Sequence, residues 1–461
     1  MRSGKSFLIL LIVAVGIGAY AYFVESKREP SDSAAAPGTK ATKVLTIDGA
    51  KVEEIEVKSA SGDVTRLKKS GSDWQIVAPS ALEADQQAVS TLLSSLESLE
   101  TSKTVDENPA SVKDFGLDPP RAIVGVRQTG ETAMRKVDLG TKTPTGADLY
   151  ARVEGQPKLM LVGASADDTL NRSTFDLRDK TVLKFDHDKA DSFKLEPAGS
   201  PAVSLSKKGT DWLLTSPANA KADFAVVDAL VGKLAQTKMK SLVVADVGTD
   251  LKKYGLDKPQ AVATIGAGST RATLALGGKA DDGSIYARDL SRPMVFGVEA
   301  TLLDDLKKKA DDFRVKDLFE FRSFTAESLD ITRGGETVSF AKQKAAVSPN
   351  PAAGAAVPAE TWKQTKPAAK DIDQAKLNDL LTNISNLKAE KFVDKALTSG
   401  EDFVVTARFG DPGAPKEERV TFRKSGDVVQ AIRQGEPGAA VVPTAEFDKV
   451  VSGLKELAGG K

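Results

Sequence analysis

Cysteine is absent from the 461-residue chain, and histidine occurs once, at His187. Without cysteine the chain cannot form disulfides, thiolate nucleophiles or cysteine-ligated zinc and iron–sulfur centres. The single histidine lies in the segment "FDHDK" between two repeated stretches, a context that fits a linker residue better than a metal ligand. We therefore expect no metal site, no cofactor and no catalytic residue.

The chain also lacks an excess of either charge, because Lys and Arg together number 64 and so do Asp and Glu. A balanced composition produces no long-range field that would attract a polyanion. We therefore expect no nucleic-acid partner. The hydrophobic share of 41 % is typical of a globular protein, and 461 residues are enough for about three domains.

One long uncharged stretch lies near the start of the chain, at residues 7–24. At ~1.5 Å per residue it is just long enough to cross the hydrocarbon core of a membrane as a helix. Arg2 and Lys5 precede it, so the positive-inside rule predicts a cytoplasmic tip and an exported body. The sequence thus predicts a single-pass anchor at residues 1–24 in a bacterial inner membrane, with a periplasmic body.

A cleaved secretory signal is the alternative for this stretch. Ala19 and Ala21 have the small–x–small spacing that a signal peptidase accepts. The aromatic residues around them, Tyr20, Tyr22 and Phe23, resemble instead an interfacial belt that closes a membrane span. Residues 25–43 lack apolar periodicity and are predicted to be a flexible tether.

The rest of the chain repeats itself at an offset of about 138 positions. The repeated pairs are "SDWQIVAP" (72–79) with "TDWLLTSP" (210–217), "DFGLDPP" (114–120) with "KYGLDKP" (253–259), and "DLYARV" (148–153) with "SIYARD" (284–289). Such a period is much longer than a solenoid unit, so each copy is expected to fold as a domain with its own core.

Tryptophan and aspartate mark three copies of this unit, the third more divergent than the others. In each copy the aspartate comes directly before an apolar stripe with helical spacing, so we expect it to cap a helix. We expect the tryptophan to lie in the core. The markers are Trp74, Trp212, Trp362, Asp85, Asp223 and Asp373.

The three copies predict domains at residues 44–187, 188–323 and 324–461, the last with a disordered insertion at about 345–360. Strand candidates joined by short turns and interrupted by one patterned helix indicate an α+β fold. The fold prediction is an N-terminal transmembrane helix followed by three tandem repeats of a mainly antiparallel sheet domain with one or two helices each. The closing segment of the first copy, "ADDTLNRSTFDLRDK", is predicted to form one polar helix.

Two copies contain the sequence Tyr-Ala-Arg. Tyr150 with Arg152, and Tyr286 with Arg288, are two residues apart, so on a strand both side chains project from one face. Such a face could bind a phosphate, a carboxylate or a peptide through the arginine. The preferred interpretation is a cross-strand ion pair beneath a packed tyrosine. In the third copy Ile432 aligns with the arginine.

The order of these motifs resembles an uncharacterised domain family of bacterial envelope proteins. Members are typically membrane-anchored and are similar to the carboxy-terminal region of the gliding-motility auxiliary component of an ABC-type transport system. The resemblance covers about residues 44–323 well and 324–461 loosely. It implies association with an ABC-type exporter as partner, and it supplies no catalytic residues.

These observations together predict a membrane-anchored, extracytoplasmic binding or scaffold protein, accessory to an ABC-type transport system, and not an enzyme. Duplicated domains without a clustered polar site are typical of interaction modules. Two alternatives stay open. One is an envelope hydrolase that uses carboxylates alone, since glycosidases need only a pair of them. The other is a structural spacer that holds a partner away from the membrane.

Overall fold

The computed structural model of the chain describes residues 42–343, 360–411 and 413–458. The predicted span at 7–24 lies outside the described residues, as do the predicted tether and insertion except for their last positions. Within the described ranges, no helix has both the length and the apolar character needed to cross a membrane.

The first sheet contains ten antiparallel strands. In several strands, apolar residues at alternate positions bury one face; in β4, for example, Trp74 and Ile76 are buried and their immediate neighbours are exposed. The strands are β1 (Thr42–Lys43), β2 (Val52–Lys58), β3 (Val64–Ser70), β4 (Asp73–Ala78), β5 (Leu82–Glu83), β6 (Glu100–Asp106), β7 (Ala122–Gln128), β8 (Arg135–Lys142), β9 (Asp148–Val153) and β10 (Leu159–Gly163).

The second and third sheets contain nine antiparallel strands each. The second consists of β11 (Ala190–Pro197), β12 (Val203–Lys208), β13 (Asp211–Ser216), β14 (Ala220–Lys221), β15 (Ser241–Val244), β16 (Ala261–Ala267), β17 (Thr270–Lys279), β18 (Ile285–Asp289) and β19 (Val295–Val298). The third consists of β20 (Ala326–Arg333), β21 (Glu336–Gln343), β22 (Thr361–Lys366), β23 (Lys370–Asp371), β24 (Lys391–Val393), β25 (Glu401–Phe409), β26 (Lys416–Ser425), β27 (Val428–Arg433) and β28 (Ala439–Val442).

The three sheets share one strand order. It runs β5-β4-β3-β2-β7-β8-β9-β10-β6 in the first sheet, β14-β13-β12-β11-β16-β17-β18-β19-β15 in the second and β23-β22-β21-β20-β25-β26-β27-β28-β24 in the third. The first sheet has β1 as an additional edge strand. The fold is therefore mainly antiparallel β with a few helices, as the strand and turn pattern predicted.

The helices are α1 (Gln86–Ser98), α2 (Ser165–Leu170), α3 (Thr174–Leu177), α4 (Phe224–Gln236), α5 (Thr301–Asp305), α6 (Ala310–Phe313), α7 (Gln374–Ser385) and α8 (Thr444–Ala458). α1, α4 and α7 are the long helices that the apolar stripes predicted. Asp85, Asp223 and Asp373 accept main-chain N–H groups at the starts of these three helices, at 3.1, 2.9 and 2.9 Å. The predicted capping role is confirmed at all three positions.

The three tryptophans lie on the same strand of their respective sheets, β4, β13 and β22. Trp74, Trp212 and Trp362 are 7 %, 3 % and 8 % exposed. Their predicted position in the core is confirmed. In the first and third sheets the surrounding apolar residues form one continuous cluster that includes the buried face of α1 or α7.

The prediction of one polar closing helix in the first copy was wrong. The segment forms two short helices, α2 and α3, which are separated by residues 171–173. Ser173 begins α3 with a capping box: its Oγ accepts the N–H of Asp176, whose carboxylate accepts the N–H of Ser173. The reciprocal cap starts a new helix where the pattern predicted a continuous one, and the chain is extended again after Leu177.

The chain divides into two compact units. The first ends at Asp179 and contains the first sheet, and the second begins at Lys180 and contains the second and third sheets.

Candidate functional site

Tyr150 and Arg152 lie on β9, where their side chains alternate with three buried apolar residues. The prediction that both project from one face is confirmed. Arg152 faces Asp138 on β8, and its Nη2 donates to Oδ2 of Asp138 at 2.8 Å. Asp138 is 3 % exposed. In the first sheet this arginine therefore forms the preferred cross-strand ion pair.

Tyr286 and Arg288 take the same positions on β18, but the residue opposite Arg288 is Ala275. The Nε of Arg288 donates to the main-chain oxygen of Arg292 at 3.1 Å. Within the part of the chain that the structure describes, no carboxylate forms an ion pair with Arg288. The guanidinium of Arg288 thus has donors left for an external anion, whereas that of Arg152 is held by an aspartate.

The two tyrosines pack against the turn of the other repeated motif. Tyr150 lies with its ring centroid 4.7 Å from that of Phe115, and Tyr286 lies 5.2 Å from Tyr254. Phe115 precedes Gly116, whose φ of 70° is the left-handed conformation that favours glycine. The turn therefore covers the tyrosine face, which makes each tyrosine a packing residue.

A glycine on the neighbouring strand allows this close approach. A Cβ added at Gly140 would lie 2.1 Å from the main-chain oxygen of Phe115, and one at Gly277 would lie 2.2 Å from that of Tyr254. Three short motifs thus meet at one place in each of the first two sheets. They are "GLD" (116–118 and 255–257), "LG" (139–140 and 276–277) and "YAR" (150–152 and 286–288). Their joint recurrence in the sequence has a structural cause.

In the third sheet, other residues stand at the positions of the tyrosine, the glycine and the arginine. Gln430 replaces the tyrosine, and its Oε1 accepts the N–H of Leu397 at 2.7 Å. Arg423 replaces the glycine and donates to the main-chain oxygen of Leu397, also at 2.7 Å. Ile432 takes the place of the arginine, opposite Thr421, as the alignment predicted. The divergent copy therefore has no arginine at this position.

Two glutamines that the sequence analysis missed hold the tryptophan strands. Gln86 accepts the N–H of Trp74 at 2.8 Å and donates to its carbonyl at 2.9 Å. Gln374 makes the same two hydrogen bonds to Trp362, both at 2.8 Å. The signal was an Asp-Gln pair at the start of both helices. Phe224, which is 50 % exposed, replaces the glutamine in the second sheet.

His187 lines a cavity of about 730 Å³ beside α4. Its Nε2 lies 3.5 Å from Oδ1 of Asp228, and its Nδ1 lies 3.2 Å from Oδ1 of Asp188. Lys240 on the rim pairs with Glu299 at 3.2 Å. Two further lining lysines have partners outside the cavity: Lys233 pairs with Asp305, and Lys238 donates to the hydroxyl of Thr181. Among the described residues, no group of three His, Cys, Asp or Glu side chains could hold a metal ion.

The segment that joins the second sheet to the third is hydrogen-bonded on both sides. Its first half pairs with the end of β14, and its second half pairs with the stretch that follows α7. The four main-chain hydrogen bonds are Asp223 N to Phe313 O (2.7 Å), Val315 N to Lys221 O (3.2 Å), Ala389 N to Lys316 O (2.7 Å) and Leu318 N to Leu387 O (3.0 Å). We call residues 313–318 the junction.

Side chains on the junction contact both cores. Phe313 packs against Phe193 of the second sheet, with ring centroids 6.2 Å apart, whereas Leu318 belongs to the core of the third sheet. Arg314 is 7 % exposed, and its guanidinium lies 3.6 Å from the centroid of the Phe392 ring. Four residues therefore separate the two cores, and one of them, Arg314, is buried against Phe392 of the third sheet.

A group of charged side chains lies beside the junction. Glu418 of β26 accepts the N–H groups of Glu320 and Phe321 at 2.9 and 3.3 Å. The carboxylate of Glu320 pairs with Lys221 of β14 and lies 3.5 Å from Nζ of Lys416 on β26. Burial raises the pKa of Glu418, whereas the hydrogen bond from Lys221 lowers that of Glu320.

A family model described as a domain of unknown function (DUF4340) matches the chain twice, over residues 74–213 and 212–403. Each match begins at a tryptophan of a "DW" motif. Together the two matches cover well over half of the chain. No curated protein and no solved structure matches it.

Proposed function

Because the chain belongs to the DUF4340 family of domains of unknown function, we propose its role from its own residues: a membrane-anchored, extracytoplasmic scaffold that works by binding. Its partner is a membrane-associated assembly, and an ABC-type transport system is the assembly we favour. In this role the protein positions other proteins and carries out no reaction of its own.

The observation that carries this proposal is the junction. Its residues are hydrogen-bonded first to the second sheet and then to the third, with no unpaired stretch that would act as a flexible linker. A scaffold needs such a connection, because two binding surfaces gain affinity for one assembly only when their geometry permits simultaneous engagement.

We further propose that the three sheets are tandem copies of one domain, at residues 44–187, 188–323 and 324–461. Their common strand order supports this, as do the tryptophan and capping aspartate at equivalent places. The family match occurs twice in succession, which is also expected of a duplicated unit. Repeated domains would present similar surfaces to a partner.

The membrane anchor is proposed from residues 7–24, which are uncharged and preceded by basic residues. The motif order that resembles a transport-associated envelope family supports the choice of partner. Arg288 is the arginine we propose as a contact, because Ala275 leaves it without the aspartate that holds Arg152.

Co-purification from detergent-solubilised membranes tests the proposal. We expect the tagged full-length chain to retain components of one membrane assembly after crosslinking. Arg288→Met should weaken this capture while leaving thermal unfolding nearly unchanged. The matched variant Arg152→Met should instead lower stability, because it leaves Asp138 buried without its partner.

Two results would overturn the proposal. Turnover of an envelope glycan by the purified chain would favour the carboxylate hydrolase. Capture of no membrane component, with the chain correctly inserted, would favour a spacer that keeps its neighbours apart without binding them.

A further inference from the structure

Among the residues that the structure describes, one edge of the third sheet has no counterpart of a segment that binds the same edge in the first two sheets. In the first sheet the extended residues after α3 bind the edge at β5. In the second the residues after α6 bind the edge at β14 in the same way. The paired groups are Asp85 N with Leu177 O and Asp179 N with Glu83 O (both 2.8 Å) in the first sheet, and Asp223 N with Phe313 O and Val315 N with Lys221 O (2.7 and 3.2 Å) in the second.

The corresponding groups of the third sheet are the main-chain oxygen of Asp371 and the N–H of Asp373, next to β23. Across the three described ranges, neither group has a main-chain partner on this side. Ile372 between them is partly exposed, whereas its counterparts Ala84 and Ala222 are 5 % and 6 % exposed beneath the bound segment. The third edge therefore leaves both hydrogen-bonding groups and an apolar side chain accessible to solvent.

The helix α8 takes the place of the two short helices that precede the bound segment in the first two sheets. It runs without a break from Thr444 to Ala458. The corresponding part of the first and second sheets consists of two short helices followed by an extended segment. Leu457 is 6 % exposed and its carbonyl accepts Nζ of Lys370 at 3.4 Å, so α8 ends beside β23. Within the described ranges, the helix thus covers the core there and makes no main-chain hydrogen bond to the strand edge.

The two bound segments show which chemistry this kind of edge accepts. Each has an apolar residue, Leu177 or Phe313, that is 0 % exposed. Each continues with an arginine, Arg178 or Arg314, and the guanidinium of Arg314 is buried against Phe392 of the third sheet. At the third edge the exposed carboxylate of Asp371 pairs with Lys363 through Oδ1 at 3.3 Å, and that of Asp373 caps α7 through Oδ1. Each carboxylate also has its second oxygen, Oδ2, to which a basic residue of an incoming segment could bind.

We propose that the edge of β23 binds an extended segment of a partner protein by strand addition, and that this segment has an apolar residue followed by a basic one. The main-chain groups of Asp371 and Asp373 supply the hydrogen bonds, and Ile372 supplies the apolar contact. This inference rests on the proposed scaffold function and adds to it a surface and a partner chemistry.

A synthetic peptide of the junction sequence "ADDFRVKDL" (310–318) is the probe, added to the full-length chain with fluorescence anisotropy as readout. The chain's own junction is held at β14 intramolecularly, so free peptide competes poorly there and reports on the vacant edge. We expect saturable binding with one site. Methylation of the peptide nitrogen at Val315, or Phe313→Ala in the peptide, should weaken binding by about tenfold or more.

Protein variants locate the site. Ile372→Lys should abolish binding of the peptide, because it places a cation beside the incoming arginine. The control Val428→Lys, at a position 44 % exposed on β27, should leave binding unchanged. Hydrogen exchange should show protection of the Asp373 amide when the peptide is bound.

Three outcomes would overturn the inference: no saturable binding up to about 1 mM peptide, equal binding of the N-methylated peptide, or protection at another edge. A concentration-dependent dimer that the peptide dissociates would assign the edge to a second copy of this chain instead of a partner protein. Because the experiment uses purified chain, its failure is distinguishable from failure to capture a membrane assembly.

Discussion

Arg152 and Arg288 stand at the same position of two sheets but differ in what faces them. Asp138 opposes the first arginine and Ala275 opposes the second. The sequence predicted that tyrosine and arginine share a face, because strand periodicity alone decides this. It could not predict which residues oppose the arginines, since the β8–β9 and β17–β18 pairings both contain register shifts.

The two arginines therefore predict different costs of substitution. Arg152→Met leaves the carboxylate of Asp138 buried and unpaired, and we expect it to lower the free energy of unfolding by roughly 1–3 kcal/mol. Arg288→Met removes no ion pair and should change that free energy by less than about 0.5 kcal/mol. Urea unfolding of both variants measures the difference. Equal losses would show that the aspartate does not set the role of the arginine.

Acid should act on the first sheet through Glu54. The hydrogen bonds from Arg127 and Lys68 lower the pKa of Glu54 to about 2, from an ordinary value of 4.5. A pKa depressed by folding stabilises the fold fully above the unfolded value, and this contribution is lost as the pH falls from 4.5 towards 2. The stability of Glu54→Gln should therefore fall less steeply in this window. Urea midpoints measured across it test this, and parallel curves for the two proteins would contradict it.

At the scale of elements, the helices α1, α4 and α7 and the antiparallel character of the sheets followed from the sequence, whereas α8 and the closing segments of the first two sheets did not. Apolar stripes and a preceding aspartate specify α1, α4 and α7 locally. The extended residues after α3 and α6 depend on hydrogen bonds to β5 and β14, which are distant in sequence. The glutamines that hold Trp74 and Trp362 were missed because each begins a helix, and its partner lies on the strand 12 residues earlier.

The contact between the "GLD" turn and the "LG" strand gives a prediction for the second sheet. In Gly277→Ala the new Cβ would lie 2.2 Å from the main-chain oxygen of Tyr254, so the turn must move. We expect a loss of about 1–3 kcal/mol in the free energy of unfolding.

The control for this prediction is Gly232→Ala in α4, where the nearest atom to a new Cβ is Nε2 of His187 at 3.5 Å. Alanine is favoured over glycine in a helix by about 1 kcal/mol, so this variant should be neutral or slightly stabilised. Thermal and urea unfolding compare the two. A harmless Gly277→Ala would show that the close approach is not needed.

At the scale of the whole molecule, the repetition in the sequence indicated how many sheets to expect but not how they are joined. The junction connects the second and third sheets, within the second compact unit. Its main-chain bonds, the buried Arg314 and the carboxylate of Glu320 connect elements from both sheets. These contacts depend on tertiary packing, which residue patterns along the chain do not encode.

A scaffold role requires that the second and third sheets keep one relative position, and double electron–electron resonance measures this. The chain has no native cysteine, so Leu290→Cys and Val428→Cys, at residues 51 % and 44 % exposed, place one spin label beside each sheet. We expect a single narrow distance distribution in the full-length protein, and a broader one when Arg314→Ala is added. A broad or multi-peaked distribution without Arg314→Ala would contradict a fixed junction and the scaffold function built on it.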